Sequence, residues 1–498
     1  MSLLGIDIGT TGCKAGVFSE DGAPLARAYR EYDMVQPRPG WAELDTHAVW
    51  DAVREVIREA AAQSAGDPVA ALCFSSIGEA VVPVTKDREI LDNSILCIDP
   101  RGAETAAALD RDFTPESFYA INPNLPGPQY SLPKMLWLRE HRPEVFDRAD
   151  YFLLWGDFAG FMLGAEPVTA NSLANRTLLF DLKRNDWSDR LLDWAGLDRT
   201  KLGRVLPGGR EAGTVSPAMA AELGLPPGVR IVTGGHDQCC NLLGCGCIRP
   251  GSAMCGMGSF ECITPVFGEV ENPGEMLRHG LNIEHHVLPG LHVSFLFNQS
   301  GLLVKWFRDT FARADQPPAD GDVYALLNAE LPPEPTSLLV LPHFVPPVFP
   351  RHIPDTAGAI LGLHANTTRG EILKAIMECS TLYFVETLEA LRGMGLECGL
   401  FAAPGGGAKS DAWLQIKADI LGAPFQRPVF TEAGVLGAAM LAGLGTGRLA
   451  SPEEAVARFV AVDRVFTPDP ARHARYREKH ALYAGMFPAL RPLLRRMS

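Results

Sequence analysis

Several things this 498-residue chain lacks narrow its function before any motif is read. It has no surplus of positive charge: 45 Lys and Arg stand against 59 Asp and Glu, a formal net charge of −14. Nucleic acid and anionic membrane surfaces both require a basic footprint, so neither is expected as the main partner. No apolar run reaches the length of about 20 residues that spans a bilayer. The N-terminus has no basic stretch followed by an apolar run, so a secretory leader is not expected. Low-complexity tracts and long runs of one charge are absent as well. Cysteine is present but its paired C-x-x-C spacing is missing. Cys239, Cys240, Cys245, Cys247, Cys255 and Cys262 crowd together among small apolar neighbours. They read as buried free thiols and not as a zinc site. With 11 cysteines and no secretory marks, a cytoplasmic location is expected.

At this length one core does not suffice, so two large domains are expected. Apolar residues make up 47% of the chain, ample for sizeable cores. Val49, Val53, Ile57 and Ala60 share one helical face, which predicts a helix over Ala48 to Ala62. Ala70 to Ser75 and Val81 to Val84 read as strands, and Lys134 to His141 as a helix. Val229 to Gly235 reads as a strand that ends at a Gly turn. The Pro-rich stretches Leu331 to Pro335 and Leu341 to Pro354 read as loops.

Three Gly-rich turns carry the chemistry. The first follows an opening strand: Asp7-Ile8-Gly9-Thr10-Thr11-Gly12-Cys13-Lys14. Glycines let backbone N–H groups approach an anion, and two threonines add hydroxyl donors. Asp7 at the strand end suits a hydrated Mg²⁺, which takes carboxylate and phosphate oxygens. The bland alternative is an ordinary hairpin with an acidic edge. Ser252 to Thr264 repeats the pattern, with Gly256-Met257-Gly258-Ser259 at its turn. That echo predicts two related halves, 1–248 and 249–498, with a boundary near Arg249-Pro250-Gly251. The third turn, Pro404-Gly405-Gly406-Gly407-Ala408-Lys409-Ser410-Asp411, follows a short strand at Gly399 to Ala403 and opens a helix over Ala412 to Leu421.

In this order and spacing, these segments resemble the FGGY family of carbohydrate kinases over nearly the whole chain. Asp7-Ile8-Gly9-Thr10-Thr11 is similar to the family's first phosphate motif, and Gly256 to Ser259 to its second. Asp99-Pro100-Arg101 resembles the D-x-R segment, and Pro133-Lys134-Met135-Leu136-Trp137 the P-K-x-x-W helix. Gly234-Gly235-His236-Asp237-Gln238 resembles the turn that carries the catalytic base. Gly405 to Ala408 resembles the adenosine-binding turn, and Glu432 to Ala439 the segment after it. The resemblance implies an α/β fold of two ribonuclease-H-like domains, of the actin and Hsp70 ATPase type, with the active site in the cleft between them. It also implies transfer of phosphate from ATP to a sugar or polyol hydroxyl, with Mg²⁺ as cofactor, and a possible homodimer.

By the same resemblance Asp237 is the base, and a turn Asp that merely caps backbone is its bland alternative. Asp7, with Asp237, is assigned to the metal. Gly9, Thr10, Thr11, Lys14, Gly258 and Ser259 are assigned to the phosphates. Lys14 has the alternative of a solvated surface lysine. Gly78, Glu79, Asp99, Arg101 and Gln238 are assigned to the acceptor, with Gln129 and Tyr130 at its edge. Asp99 and Arg101 have the alternative of a structural ion pair. Gly405, Gly406, Gly407, Ala408 and Asp411 are assigned to adenosine, and Asp411 has the alternative of a first-turn residue favoured by the helix dipole. Gln299 to Trp306 reads as a helix start facing the cleft.

The pattern departs from the family at the acceptor. Xylulokinase-like members carry a Gln-Met-His type segment where this chain has Ser75-Ser76-Ile77-Gly78-Glu79, and glycerol kinases carry Arg-Glu. Here the Glu is kept and Gly78 replaces the Arg. The G-E-R-T-P type loop is replaced by His343 to Arg351. Pro133 through Asp181 is most similar to xylulokinases, so a ketopentose such as D-xylulose or a related polyol is the expected acceptor. Glycerol, erythritol, ribulose and gluconate are the alternatives within the class. A sugar-independent Hsp70- or actin-like ATPase and a catalytically dead sugar sensor are the readings outside it.

Overall fold

Two sheets are wound alike, each from a meander that opens its half of the chain. The computed structural model describes residues 1–315, 322–345, 353 and 355–497. In the first half, β1 (Ser2–Ile8), β2 (Gly12–Ser19) and β3 (Pro24–Glu31) form an antiparallel meander. Helix α1 (Thr46–Gln63) follows, capped by the Asp45 side chain, and buries the predicted face of Val49, Val53, Ile57 and Ala60. Next come β4 (Val69–Ser76), β5 (Glu211–Thr214) and β6 (Arg230–His236). The sheet order is β5-β6-β4-β1-β2-β3, with β4 parallel to β1 and β6 parallel to β4. Helix α2 (Asp237–Gly244) leaves the end of β6 directly.

The second half repeats this order. Strands β7 (Ser252–Met257), β8 (Phe260–Phe267) and β9 (Leu296–Gln299) form the meander, and α3 (Gly301–Phe311) follows. Then come β10 (Leu400–Ala402), α4 (Asp411–Leu421), β11 (Phe425–Pro428), α5 (Ala433–Gly445) and β12 (Val462–Phe466). Strand β10 runs parallel to β7, β11 runs parallel to β10, and β12 closes the edge antiparallel to β11. The second sheet is thus the first repeated, down to the antiparallel edge strand. A two-stranded arm, Glu284–His285 with His292–Val293, extends β8 beyond its pairing with β9.

The strands of each sheet fall within 1–248 and 249–498. One helix crosses over. Helix α5 is almost wholly alanine, glycine and leucine, and Ala433 to Gly443 is buried throughout, as expected of a helix apolar on every side. It packs on α2 and on β1, β4 and β6 of the first half. Its approach is backbone to backbone. A Cβ on Gly5 would stand 1.9 Å from the Val435 carbonyl oxygen, and one on Gly437 would stand 2.0 Å from the Cys240 carbonyl oxygen. Only glycine fits such positions.

The other expected elements stand close to their predicted bounds. They include Val81–Val84, paired with Tyr151–Leu154, and the helix Ser131–His141. Residues 331–335 form a loop. Of the second Pro-rich stretch, Leu341 ends a strand, and Pro346 to His352 and Pro354 lie outside the described residues, as does most of the replaced loop from His343 to Arg351. All eleven cysteines are free, and the six between Cys239 and Cys262 are buried. Among the described residues no helix is long and apolar enough to cross a membrane.

Candidate active site

The first turn is set by the hairpin register, which pairs Asp7 with Lys14 and Ile8 with Cys13. The Gly9 N–H donates to the Gly12 carbonyl at 3.0 Å, and the Tyr32 hydroxyl donates to the Gly9 carbonyl at 2.7 Å. Thr10 and Thr11 sit at the tip, where Thr11 is exposed. Asp7 is the last residue but one of β1 and takes a hydrogen bond from the Ser75 hydroxyl at 2.6 Å. Burial raises its carboxyl above the ordinary value, against the pull of Ser75 and Lys14. Lys14 is half-exposed. It forms an ion pair with Glu432, the residue that precedes α5. The start of α5 therefore lies against the first turn, and a Cβ on Gly434 would stand 3.1 Å from Asp7 Oδ1.

Asp237 is the first residue of α2, at the end of β6, beside the central strands that carry Asp7 and Ser75. Its Oδ1 accepts from the Gln238 N–H at 2.6 Å and lies 3.3 Å from His236 Nε2. Burial, then the charges of Asp7 and Glu79, push its carboxyl up to about 7. Burial and the nearby Arg176 charge keep His236 neutral, well below its ordinary value. A carboxylate that is half protonated near neutral pH suits a general base.

Glu79 follows β4 and is buried with Arg176. The guanidinium donates to Glu79 Oε1 through Nε at 2.8 Å and also through Nη2. Through Nη1 it donates to Glu284 Oε1, in the arm of the second sheet, at 2.6 Å. Tyr130 and Phe295 flank it, with ring centroids 4.9 and 5.6 Å away. Gly78 lies against the same group: a Cβ there would stand 2.9 Å from the His236 ring and 3.0 Å from Arg176 Cγ. Gln238 is half-buried beside Asp237.

Asp99 and Arg101 are engaged in a separate buried cluster. Arg101 donates to both oxygens of Asp99, at 2.9 and 2.7 Å, and pairs with Glu43 at 2.7 Å. It also stacks over Trp41 at 3.9 Å. Burial alone would raise the Asp99 carboxyl, but Arg101 and the Ala42 N–H hold it below the ordinary value. Lys134 of the P-K-x-x-W helix donates to the Asp99 and Arg101 carbonyls. Every strong donor and acceptor in this cluster is matched within it, which is the arrangement of a structural ion pair.

On the second sheet, Gly258 and Ser259 form the exposed turn between β7 and β8. Helix α3 begins against this turn, and the Leu302 N–H donates to the Ser259 carbonyl at 2.9 Å. Below it lies a fully buried ion pair. Lys417 Nζ is 2.5 Å from Glu261 Oε1, and the Ser300 hydroxyl donates to Glu261 Oε2 at 2.7 Å. The adenosine-type turn joins the same hairpin, since the Met257 N–H donates to the Pro404 carbonyl at 2.9 Å. Gly405 has φ 102°, and a Cβ there would meet the Met257 carbonyl oxygen at 2.8 Å. Gly406 and Gly407 continue the turn, and Ala408 is buried and accepts through its carbonyl from Arg427 at 3.1 Å. Asp411 pairs with Arg427 at 2.7 Å and with Arg464.

The structure thus gathers Asp7, Glu79, Gly78, Asp237 and Gln238 at the ends of β1, β4 and β6. It ties Gly258, Ser259 and Gly405 to Ala408 into one unit on the second sheet. Asp99, Arg101 and Asp411 are committed to other side chains. Four residues that complete the arrangement were not singled out from the sequence as site residues: Arg176, Glu284, Glu261 and Lys417. A surface cavity of about 770 Å³ lies elsewhere, between Glu269 to His279 and Ala390 to Leu396, and none of the predicted residues lines it.

Comparison with known proteins matches residues 2–244 to the FGGY family of carbohydrate kinases, N-terminal domain, and residues 279–446 to its C-terminal domain. The chain is 27% identical to a xylulose kinase of Bacillus subtilis over 490 residues, covering 97% of this chain and 96% of that one. It is 28% identical to an autoinducer-2 kinase of Escherichia coli over 508 residues, covering 97% and 94%. The crystal structure of a xylulose kinase from Rhodospirillum rubrum superposes with a TM-score of 0.89 at 26% identity, covering 99% of this chain and all of that one.

Proposed function

The chain belongs to the FGGY family of carbohydrate kinases, and from that premise we propose D-xylulose or a related ketopentose as its acceptor and Asp237 as its base. The chain is an ATP-dependent sugar kinase, with the two-domain fold of that family. Phosphoryl transfer asks the protein to align the acceptor hydroxyl, take its proton and match the charge on the moving group. In the proposed reaction the acceptor oxygen bonds to the γ-phosphorus and the bond to the ADP oxygen breaks. The hydroxyl proton passes to Asp237.

The observation that carries this reading is Asp237 itself: a carboxyl at a helix start, held through Oδ1 and raised to about 7 beside Asp7 and Glu79. Glu79 Oε2 is the oxygen that Arg176 leaves for an acceptor hydroxyl. Gly9, Thr10, Thr11 and Lys14 meet the phosphates from the first sheet, and Gly258 and Ser259 meet them from the second. Gly405 to Ala408 take the adenosine.

Asp7 and Asp237 fit a hydrated Mg²⁺, because the Asp7 charge adds to the cost of ionising Asp237 and a cation would offset it. Such an ion, when bound, offsets the charge of the phosphate oxygens. The eleven free thiols fit a reducing, cytoplasmic compartment.

The test is ADP release measured over pentuloses, hexuloses, polyols and aldonates. A ketopentose should stimulate release most strongly, and Asp237→Ala should abolish transfer while ATP still binds. Release that no sugar stimulates would replace this reading with a sugar-independent ATPase. Turnover retained by Asp237→Ala would remove Asp237 as the base.

A further inference from the structure

Among the described residues one guanidinium, that of Arg176, lies against Gly78 and Glu79, and it is already neutralised twice. Arg176 is buried, with three hydrogen bonds to two carboxylates, Glu79 and Glu284. Both carboxylates are buried as well. The other cations near the site are matched too: Arg101 by Asp99 and Glu43, and Lys14 by Glu432. Lys134 is engaged by two carbonyls. Asp237 lies close enough to feel the charges of Glu79 and Asp7, so among the described residues carboxylates outnumber unpaired cations here.

Space is arranged to the same end. Arg176 Cγ and the His236 ring fill the volume that a side chain at position 78 would need. No second cation reaches the pocket from that position.

We propose that Arg176, clamped between Glu79 and Glu284, restricts this pocket to uncharged polyhydroxy acceptors and excludes aldonates. The inference rests on the reading of the chain as a sugar kinase and names its substrate class. Arg176 acts through Glu79: holding Oε1 turns Oε2 toward a hydroxyl, which a carboxylate oxygen accepts from readily. An acceptor carboxylate would meet Glu79 and Asp237 with no free cation among the described residues to offset it. Like charges at that range in a partly buried site are strongly unfavourable.

Glu284 is the lever for the test. Its Oε1 takes the bonds from Arg176 and from Asn282, whereas its Oε2 is buried with no partner. Glu284→Gln therefore keeps the occupied acceptor and removes one negative charge. The experiment measures kcat/KM for pairs of equal chain length, such as xylitol against xylonate and ribitol against ribonate, each beside its ketopentose.

The wild-type protein should use the aldonate about 100-fold less well than its uncharged partner. Glu284→Gln should raise the aldonate-to-polyol ratio about tenfold. Arg176→Lys, which keeps the charge but loses the fork, should raise the sugar KM about tenfold and leave the ATP KM in place. An aldonate used as well as its uncharged partner by the wild type would overturn the proposal. So would an unchanged ratio in Glu284→Gln, or sugar and ATP KM values that move together in Arg176→Lys. If no acceptor of either class stimulates ADP release, the sugar-kinase reading fails instead, and the two failures are told apart.

Discussion

Replacing Asp237 with Asn should make the free enzyme more stable as it makes it inactive. The ordinary carboxyl value is 3.8 and the folded value is about 7. At 1.36 kcal/mol for each tenfold change in proton affinity, ionising Asp237 costs the folded state about 4 kcal/mol that the unfolded chain does not bear. The folded value is raised, so the protonated form is favoured on folding. The penalty is therefore absent below the unfolded value of 3.8, grows as pH rises, and is complete above about 7. Asn carries no such penalty at any pH. Without ligands, Asp237→Asn should exceed the wild type by up to about 4 kcal/mol at pH 8 and by less than about 2 at pH 5. For a domain of this size each kcal/mol corresponds to about 2–4 °C in Tm. Thermal unfolding of both proteins at the two pH values is the assay. A variant no more stable than wild type at pH 8, or a difference that does not shrink toward pH 5, would refute the argument that burial and the Asp7 and Glu79 charges strain this carboxyl.

Three further outcomes are expected. Lys417→Met leaves Glu261 charged and fully buried with only Ser300 and Cys255 as donors, and should cost about 3–5 kcal/mol in denaturant unfolding. The double variant Lys417→Met with Glu261→Met should recover most of that loss, and a double variant as unstable as the single one would count against the pair. Gly5→Ala drives a methyl into the Val435 carbonyl and should cost about 1–3 kcal/mol or more; wild-type stability would mean that α5 stands off the sheet. Asp99→Asn should lower Tm while leaving the sugar KM within about twofold, because its oxygens serve Arg101 and Ala42; a large KM change at wild-type Tm would return Asp99 to the acceptor site.

The parts of the site legible in the sequence are those that local chemistry marks. Asp7 and Asp237 are carboxylates at the end of a β-rich run, two residues from a glycine, and the turns at 9–12, 256–259 and 405–407 announce themselves by composition. The order of these turns is enough to suggest two related halves, and the sheets carry that through strand by strand. Arg176 had no such mark. It sits in a short turn, Asn175–Thr177, and its partners are 97 and 108 residues away. Lys14 reads as a phosphate ligand or a surface lysine, and its pairing with Glu432 is hidden because that residue lies 418 positions along the chain. The sequence Ala433 to Gly445 is plainly that of a buried helix, yet nothing local says that it is buried against the other half. Asp99 with Arg101 and Asp411 each carried two readings, since a charged side chain near a turn looks the same in sequence whether it meets a ligand or a neighbour.

The seam made by α5 has a mechanical consequence. Where Gly5 meets Val435 and Gly437 meets Cys240 the backbones touch, and around those points Val435, Leu436, Met440 and Leu441 of α5 pack among Leu3, Cys73, Val232 and Leu243 of the first half. Turning one half past the other would have to break those close-packed contacts, so the seam holds the two halves in register. At its rim the buried Arg176 to Glu284 pair and the more exposed Lys14 to Glu432 pair also join the halves. Both pairs end at residues that flank the expected phosphate and acceptor positions, so a molecule seated there meets both halves of the chain at once.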